Sequence, residues 1–499
     1  MTDPAVSAQL RQLLDQAPRD ADAICYDGAW WTWGDLAAVA ARLEQILGVL
    51  GLGAGARVGL VLSNRREHAA VITAVLAGQR CLTTLSPLQP PERLGKDVHA
   101  AALPVVLASP EVLADPLVGT AVRAHGTAVV LGADGTLTVD GGATSAPEAR
   151  TYLPGTGIEM LTSGTTGPPK RVPLGYPQID MALASGGMRP REGAGGADLL
   201  GTGVSLVATP MVHIGGMWGL VATLFAGRRA VLLDRFTVDG WAEAVRTHRP
   251  KASGLVPAAM RAVLDAQVPA EDLSSLQVVT SGTTFCPPDL ADEFTQRYGI
   301  AVLMTYGATE FAGALAGWTL PLQREWWTTK RGSAGRPFRN VSMRVVGPEG
   351  AELPAGSVGV LEVRTPQSPQ GPDAWVRTSD LARLDDDGFV WIEGRADDAI
   401  IRGGFKVQPA TVRAVLERHP AVREAAVTGR PDTRLGAVPV AAVELVPGAT
   451  APTPDELRAL CREHLTPYEV PVAFLAVDEL PRTPSHKVSR VDLLELFRD

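Results

Sequence analysis

Residues 160–174, MLTSGTTGPPKRVPL, join an apolar segment to a run of small hydroxyl-bearing and glycine residues. The apolar residues predict the end of a buried strand, and residues 162–167 then carry four hydroxyls and two glycines ahead of Lys170. Backbone N–H groups and hydroxyls of such a loop can approach an oxyanion closely, and the lysine adds a positive charge. The stretch predicts a phosphate-binding loop. It is not a Walker A loop, because the G-x-x-x-x-G-K-[ST] spacing is absent.

A surface linker is the alternative interpretation, because Ser, Thr, Gly and Pro also dominate linkers. A linker would not normally follow an apolar strand directly and lead straight into Lys170-Arg171-Val172. We therefore favour the phosphate-binding loop.

Length and charge limit the classes of protein that fit. A chain of 499 residues predicts two to four domains or subdomains with ample length for large cores. The formal net charge of -8 argues against nucleic acid as the main partner. This net charge does not exclude a local basic pocket that binds an anionic small molecule.

The cysteines and the apolar segments favour a cytoplasmic protein. The four cysteines are far apart and form no C-x-x-C, so neither a zinc site nor a disulfide framework is indicated. Residues 1–16 are acidic and amphipathic, unlike a signal peptide. No stretch approaches the roughly 18 consecutive apolar residues that a membrane span needs.

The order of apolar runs predicts an α/β fold. Strand-like and helix-like segments alternate between residues 57 and 137 and again between 204 and 305, which predicts two similar α/β layers. Residues from about 330 to 396 are rich in turns and β-branched residues and predict a small β-subdomain. Residues 397–499 predict a compact α+β domain of ordinary size. We place the domain boundary at 396/397, with residues 1–396 forming the large N-terminal domain.

Other motifs carry residue types suited to nucleotide chemistry. They are YGATE (306–310), TSD (378–380), GRADD (394–398), IRGGFKVQP (401–409) and PRTPSHK (481–487). A carboxylate such as Glu310 is a hard oxygen ligand for Mg²⁺, which neutralises a polyphosphate. Taken alone, Glu310 is better explained as an exposed acidic residue in a turn, and a lone Arg or Asp as part of a surface salt bridge. The order and number of the motifs favour a shared site.

Together with residues 160–174, these motifs resemble the adenylate-forming superfamily of acyl-CoA synthetases, luciferases and peptide-synthetase adenylation domains. The resemblance spans nearly the whole chain. It implies a large AMP-binding domain followed by a small mobile C-terminal domain that turns about Asp397. It also implies ATP and Mg²⁺ as ligands, with CoA as co-substrate.

The resemblance assigns roles residue by residue. The implied catalytic residues are Lys487, Lys170, His213, Thr309 and Glu310, and the implied metal-binding residues are Glu310 and Thr162. The implied nucleotide- and CoA-binding residues are Thr162, Ser163, Gly164, Thr165, Thr166, Gly167, Lys170, Gly282, Thr283, Thr284, Tyr306, Gly307, Ala308, Thr309, Asp380, Arg395, Gly403, Gly404 and Lys487.

The sequence departs from the family pattern at several places. Arg171 and His486 stand where glycine is usual, and Ser379 replaces the glycine of a T-G-D motif. The connection 364–375 is shorter than usual. A lone histidine before an apolar helix is more often structural, which applies to His213.

The sequence does not identify the carboxylic acid that such an enzyme would activate. The residues that we expect to line or approach the acyl pocket are Gly215, Gly216, Met217, Trp218, Thr283, Thr284, Phe285 and 312–314. Small residues beside bulky ones suit an aryl, alicyclic or medium-to-long acyl group.

The resemblance implies a ligase that converts a carboxylic acid to an acyl-adenylate with release of pyrophosphate and then to an acyl-CoA with release of AMP. A second possibility is an adenylating enzyme that passes the acid to a carrier-protein thiol, an amine or another acceptor. A third is an inactive nucleotide-binding module. We expect a cytoplasmic monomer or homodimer without a membrane span or nucleic-acid partner.

Overall fold

The structure is a computed structural model that describes residues 3–142, 151–162, 170–191, 193–402, 405–432, 435–483 and 487–498. At Thr162, Asp397, Phe405 and Lys406 it describes the backbone alone. The described residues group into two compact units. The first comprises the chain up to Ser342 together with 364–374, and the second comprises 343–363 and 375–498.

Helices and strands alternate through the first part of the chain. The helices are α1 Ala5–Gln16, α2 Trp33–Val49, α3 Arg66–Ala77, α4 Pro91–Ala101, α5 Pro110–Ala114, α6 Pro116–His125, α7 Tyr176–Ser185, α8 Ile214–Phe225, α9 Val238–His248, α10 Pro257–Asp265, α11 Pro288–Tyr298 and α12 Leu320–Lys330. The strands are β1 Asp22–Tyr26, β2 Ala29–Thr32, β3 Arg57–Val61, β4 Cys81–Leu85, β5 Val105–Ala108, β6 Thr127–Leu131, β7 Leu137–Gly142, β8 Thr156–Thr162, β9 Lys170–Gly175, β10 Val204–Val207, β11 Arg229–Leu232, β12 Ala252–Gly254, β13 Val278–Ser281, β14 Ala301–Ala308, β15 Gly313–Gly317 and β16 Arg336–Pro337.

These strands form the two predicted α/β layers. One sheet has the order β7-β6-β5-β3-β4-β8-β9 and the other β16-β15-β14-β13-β12-β10-β11-β1-β2. Central strands such as β3 and β4 run parallel and are buried along their whole length. Parallel strands covered by helices on both faces have this continuous apolar pattern. The prediction of a mixed α/β fold is confirmed.

Local sequence signals explain where several helices begin. At α2 the Thr32 hydroxyl accepts a hydrogen bond from the Asp35 backbone N–H at 3.2 Å, and the Asp35 carboxylate accepts one from the Thr32 N–H at 2.7 Å. This capping box satisfies two backbone donors that the first helical turn would otherwise leave unpaired. Helix α8 has the bounds that its apolar run predicts.

The second part of the chain contains two smaller sheets. Its strands are β17 Ser342–Val346, β18 Val358–Arg364, β19 Val376–Leu384, β20 Val390–Arg395, β21 Ile400–Arg402, β22 Phe405–Val407, β23 Val422–Asp432, β24 Gly436–Leu445 and β25 Ala473–Val477, and its helices are α13 Pro409–Leu416, α14 Pro454–His464 and α15 Arg490–Glu495. Strands β17–β20 form one sheet in chain order. The other has the order β22-β21-β24-β23, with β25 pairing to β24. Helix α13 packs against β23, and α15 packs against the same strand.

None of the helices in the described part of the chain combines the length and the apolar composition that a membrane span requires.

Candidate active site

Two paired strands flank the phosphate-loop motif in the chain. Strands β8 and β9 are antiparallel, and Thr162 pairs with Lys170 in register. The hairpin therefore brings these two backbone positions together, and Lys170 is exposed. The predicted loop residues Ser163, Gly164, Thr165, Thr166 and Gly167 lie outside the described residues.

Arg171, which departs from the family pattern, is held in an ion pair. Its guanidinium nitrogen Nη2 lies 2.5 Å from Oδ1 of Asp97 on α4, and both side chains are mostly buried. A second guanidinium nitrogen donates to the Thr84 carbonyl at 3.3 Å. Successive strand residues point to opposite faces, so this anchor does not compete with Lys170. Arg171 therefore holds β9 against helix α4 and strand β4.

The YGATE motif lies partly within a strand. Strand β14 continues through Ala308, and only Thr309 and Glu310 lie beyond it, in a short 3₁₀ turn. The extension has a tertiary cause, since β15 pairs with β14 and matches Ala308 with Gly313. A Cβ atom on Gly307 would lie 2.1 Å from the Gly313 carbonyl oxygen, so glycine is required there.

Gln178 positions this turn, and sequence reasoning missed it. Its side-chain amide donates to the carbonyl of Gln367 at 2.8 Å and to that of Glu310 at 3.4 Å. Its side-chain oxygen accepts from the Gly175 N–H at 2.7 Å. The turn also packs against β9, the strand that begins at Lys170. The structure therefore brings the Thr309–Glu310 turn to the phosphate-loop hairpin.

The residues present fit a magnesium ion carried by a phosphate ligand. The Glu310 residue is exposed at the turn. Across the residues that the structure describes, no three His, Cys, Asp or Glu side chains form a metal-binding group. Mg²⁺ is commonly held by one or two carboxylates together with substrate phosphates, and dedicated all-protein cages are unusual for it. The donor set matches that mode.

His213 caps the N-terminus of α8, and a buried asparagine fixes the segment before it. Asn64 is 3% exposed, and its amide donates to the carbonyls of Thr209 and Leu233 at 3.0 Å each. Its side-chain oxygen accepts from the Met211 N–H at 2.7 Å. Sequence reasoning did not identify Asn64. The available signal was a polar residue shortly after the apolar strand β3.

The loop after β13 lies beside the start of α8. Thr283 has a φ of +69°, which is rare for a residue with a side chain, and its hydroxyl donates to the Gly282 carbonyl at 2.5 Å. A Cβ atom on Gly215 would lie 4.0 Å from Cγ2 of Thr283. Thr284 is exposed. Of the three predicted residues of this loop, Thr283 is the one that borders the helix that follows His213.

An apolar cavity lies behind this helix. Its volume is about 10 Å³, which is room for about one water molecule. Its lining carries no charged side chain and consists of Ile158, Leu174, Ile179, Ile214, Met217, Trp218, Val221 and Ala312. Three of these residues, Met217, Trp218 and Ala312, are among those expected near the acyl pocket.

In the second unit, Asp380 and Arg395 are cross-strand partners on β19 and β20. The hydroxyl of Ser379 accepts a hydrogen bond from the Arg395 guanidinium at 2.6 Å. The residue that replaces the usual glycine therefore engages the predicted nucleotide-binding arginine. The Asp380 backbone N–H donates to the Thr378 hydroxyl at 3.1 Å, which fixes the direction of the strand at this point.

Lys487 lies at the end of a loop closed by backbone contacts. The Thr483 N–H donates to the Lys487 carbonyl at 2.7 Å. Before the loop, the Arg482 guanidinium contacts the carboxylates of Glu424 at 2.6 Å and Glu444 at 3.3 Å. Arg482 thereby anchors the loop to β23 and β24. His486 lies outside the described residues.

The predicted hinge lies in the 3₁₀ turn Ala396–Asp398 between β20 and β21. The neighbouring Asp398 carboxylate lies 3.7 Å from Nε of Arg395 and pairs with Arg490 on α15. Past the hinge, the Arg402 guanidinium donates to the Tyr468 carbonyl at 2.8 Å. Gly403 and Gly404 lie outside the described residues.

Comparison with known proteins identifies the family. Residues 10–371 match the family described as AMP-binding enzyme, and residues 412–487 match the AMP-binding enzyme C-terminal domain. The chain therefore belongs to the AMP-binding enzyme family, and the resemblance to the adenylate-forming superfamily is confirmed.

Similar proteins share most of the length of this chain. The 2-succinylbenzoate–CoA ligase of Bacillus velezensis is 30% identical over 92% of this chain and 91% of its own. The amide bond synthetase McbA of Marinactinospora thermotolerans is 27% identical, with a TM-score of 0.80, and covers 99% and 100% of the two chains. The fold is also shared with O-succinylbenzoate coenzyme A synthetase of Bacillus subtilis in complex with ATP and magnesium ion. That structure is 24% identical, with a TM-score of 0.78, and covers 98% and 99% of the two chains.

Proposed function

We propose that this protein is an AMP-forming ligase that activates a carboxylic acid with ATP and transfers it to CoA. The observation that carries the proposal is the placement of Lys170 and the Thr309–Glu310 turn on adjacent elements. A cationic side chain and a carboxylate at one strand edge suit a magnesium-bound triphosphate.

In the first half-reaction, a carboxylate oxygen of the acid bonds to the α-phosphorus of ATP. The bond between that phosphorus and the bridging oxygen of the β-phosphate breaks, and pyrophosphate carries away the negative charge. Mg²⁺ bound by Glu310 would neutralise charge on the phosphates. Lys170 stabilises the departing pyrophosphate, while Lys487 stabilises the charge that gathers at the α-phosphate.

In the second half-reaction, the CoA thiolate bonds to the acyl carbon and the bond to AMP breaks. We assign residues 397–499 as the domain that turns about Asp397 between the two steps, so that Gly403 and Gly404 replace Lys487 at the acyl group. An Asp397→Pro variant restricts rotation of the backbone at the hinge. It is expected to retain adenylation and lose most thioester formation, and normal turnover with CoA would show that the hinge lies elsewhere.

We propose a fatty, aryl or alicyclic acid as the substrate. The apolar lining beside α8 supports this class, because a second charged group would lose hydration there without gaining a partner. A cytoplasmic location accords with four buried cysteines that carry free thiols. A monomer or a homodimer is compatible with the proposed chemistry.

Two alternatives concern the fate of the adenylate. The enzyme could pass the acid to a carrier-protein thiol or to an amine, and the similarity to an amide bond synthetase favours testing the amine. An inactive nucleotide-binding module is disfavoured, because Lys170, Glu310, Asp380, Arg395 and Lys487 are all present.

The test measures pyrophosphate release with ATP and Mg²⁺ across aliphatic, aromatic and alicyclic acids, with and without CoA. Acid-dependent release with a CoA thioester as product supports the ligase. Release without any thioester shifts the assignment to another acceptor. If no acid causes release, ATP binding to the native protein and to Lys170→Ala separates an unusual substrate from an inactive site.

A further inference from the structure

Arg171 connects an edge strand of the first α/β layer to elements deeper in that layer. Strand β9 stands at the edge of its sheet, beyond β8. Arg171 is matched with Leu161 on β8, yet its guanidinium reaches past β8 to the Thr84 carbonyl on β4 at 3.3 Å. Its Nη2 also lies 2.5 Å from the Asp97 carboxylate on α4. One side chain therefore holds the edge strand to β4 and to the covering helix.

This anchor is the next residue in the chain after Lys170, the first residue of β9. An edge strand has a hydrogen-bonded neighbour on one side only, and the end of such a strand opens easily. Strand side chains alternate between faces, so Arg171 reaches α4 while Lys170 stays exposed. Holding the backbone at residue 171 therefore fixes the position from which the Lys170 ammonium extends.

The ion pair is largely withdrawn from water. The exposed fractions of the side chains are 16% for Arg171 and 11% for Asp97. Oδ2 of Asp97 is buried and has no hydrogen-bond partner among the residues that the structure describes. Without the guanidinium, this carboxylate would be left buried and uncompensated. A glycine at position 171, the usual residue of the family pattern, could form neither of the two contacts.

We propose that Arg171 is a positioning residue that holds Lys170 in place for the terminal phosphates of ATP and for pyrophosphate. The inference rests on the proposed function, in which Lys170 stabilises the departing pyrophosphate. AMP lacks these phosphates. Arg171 therefore affects the binding of ATP and pyrophosphate and leaves the binding of AMP unchanged.

The sign of one substitution separates positioning from simple charge. Asp97→Asn removes a negative charge, which by Coulomb attraction alone would strengthen the binding of an anion. The same substitution weakens the ion pair that holds β9, so positioning predicts weaker binding. Arg171→Lys keeps the positive charge but loses the planar fork that reaches both Asp97 and Thr84. Positioning predicts weaker binding of ATP in both variants.

Arg57 provides a matched control in the same sheet. Its Nη2 lies 2.5 Å from the Glu159 carboxylate on β8, and the exposed fractions of the two side chains are 10% and 11%. Arg57 is the first residue of β3, which places it toward the sheet edge opposite Lys170. Arg57→Lys therefore disturbs an equally buried ion pair without touching the start of β9.

The experiment uses calorimetry on the full chain, with Mg²⁺ and without any acid, to measure the affinities for ATP, pyrophosphate and AMP. The proteins are the native chain, Arg171→Lys, Asp97→Asn, Arg57→Lys, Lys170→Ala and the combination of Lys170→Ala with Arg171→Lys. Thermal unfolding verifies that each variant is folded, and Asp97→Asn carries the test if Arg171→Lys does not fold. The combined variant is decisive, because a residue that acts through Lys170 adds nothing once that lysine is gone.

Arg171→Lys and Asp97→Asn are each expected to weaken the binding of ATP and pyrophosphate by about tenfold, or about 1.4 kcal/mol, and to change the binding of AMP by less than about twofold. Arg57→Lys is expected to lower the unfolding temperature without changing the ratio of the ATP and AMP affinities. In the Lys170→Ala background, Arg171→Lys is expected to cause no further loss.

Three results overturn the inference while the proposed function stands: an equal loss of AMP binding, tighter ATP binding in Asp97→Asn, or a full additional loss in the combined variant. A change in the ATP-to-AMP ratio in Arg57→Lys also overturns it. An ATP affinity that Lys170→Ala leaves unchanged removes Lys170 from the phosphate site and the inference with it. Failure of the native protein to bind ATP overturns the proposed function itself.

Discussion

In the first compact unit, neutral amide side chains hold the segments around His213 and Glu310, whereas charged side chains hold the segments of Lys487 and the hinge in the second. Asn64 and Gln178 fix the segments before His213 and around Glu310 through amide hydrogen bonds to backbone groups. In the second unit, Arg482 anchors the Lys487 loop through two carboxylates, and Asp398 pairs with Arg490 beside the hinge. An amide side chain that forms hydrogen bonds to backbone N–H and carbonyl groups holds a segment in place only at short range and in one geometry.

The difference predicts which half-reaction a substitution in each unit should slow. The first unit carries the segment around His213, which we place beside the acyl group that takes part in both half-reactions. The second carries Lys487, which is assigned to adenylation alone. A change in the segment around His213 should reduce both half-reactions together, and a change near Lys487 should separate them.

The largest expected effect is that of Lys487→Ala. We expect the rate of adenylation to fall by at least about 10²-fold, because a group that stabilises transition-state charge is lost. Thioester formation from supplied acyl-adenylate should be unchanged. Pyrophosphate release and thioester formation, measured separately, test this. Equal loss of both rates would contradict the assignment of Lys487 to one half-reaction.

Asn64→Ala should have the next largest effect. Three hydrogen bonds to buried backbone groups are lost, which should lower the free energy of unfolding by about 2–4 kcal/mol. Both half-reactions should slow by a similar factor. The control is Asn64→Asp, which keeps the acceptor for the Met211 N–H but loses both donors, and it should be intermediate if the donors contribute. Chemical denaturation and the two rate measurements check this. Loss of adenylation alone would show that Asn64 does not support both half-reactions.

Arg482→Lys should act on the Lys487 loop. Lysine keeps the positive charge but cannot reproduce the two guanidinium contacts with Glu424 and Glu444. We expect adenylation to slow by about tenfold, which corresponds to about 1.4 kcal/mol for the weakened anchor. Arg423→Lys is the control, because Arg423 lies 3.6 Å from Glu444 without adjoining the loop. If thioester formation slows equally, Arg482 supports the whole domain and not the loop in particular.

The last prediction concerns the pH dependence of stability and the support of the first unit. Burial lowers the pKa of His68 to about 3, and its Nδ1 accepts from the Ser63 N–H at 3.0 Å, beside Asn64. An unfolded histidine binds a proton below about pH 6.5, whereas the folded protein leaves His68 neutral until about pH 3. The free energy of unfolding should therefore fall as pH decreases through this window, by about 1.4 kcal/mol per pH unit from His68.

Denaturation curves between pH 7 and pH 4 measure this dependence. His68→Asn retains an acceptor for the Ser63 N–H and should flatten the slope by that amount. His464→Asn, at an exposed position, should leave the slope unchanged. A native slope that His68→Asn does not alter would exclude His68 as the cause.

Much of the fold could be predicted because buried elements carry periodic apolar residues. Helices α1, α8 and α14 and central strands such as β3, β4 and β6 lie where their patterns place them. Helix α12 was not predicted, because none of its residues is buried and it therefore lacks an apolar stripe. Helix α11 was also missed, although Leu290, Ala291 and Phe294 provide a buried face.

The sequence by itself determined the family, because motif order depends only on residue type and spacing, and the same motifs supply the predicted chemistry-bearing residues. Tertiary structure alone decided which side chains support those residues. Asn64 and Gln178 act on segments more than a hundred residues away, and Ser379 and Arg171 acquire partners through strand pairing and helix packing. Such contacts depend on how distant elements pack, which local periodicity does not record.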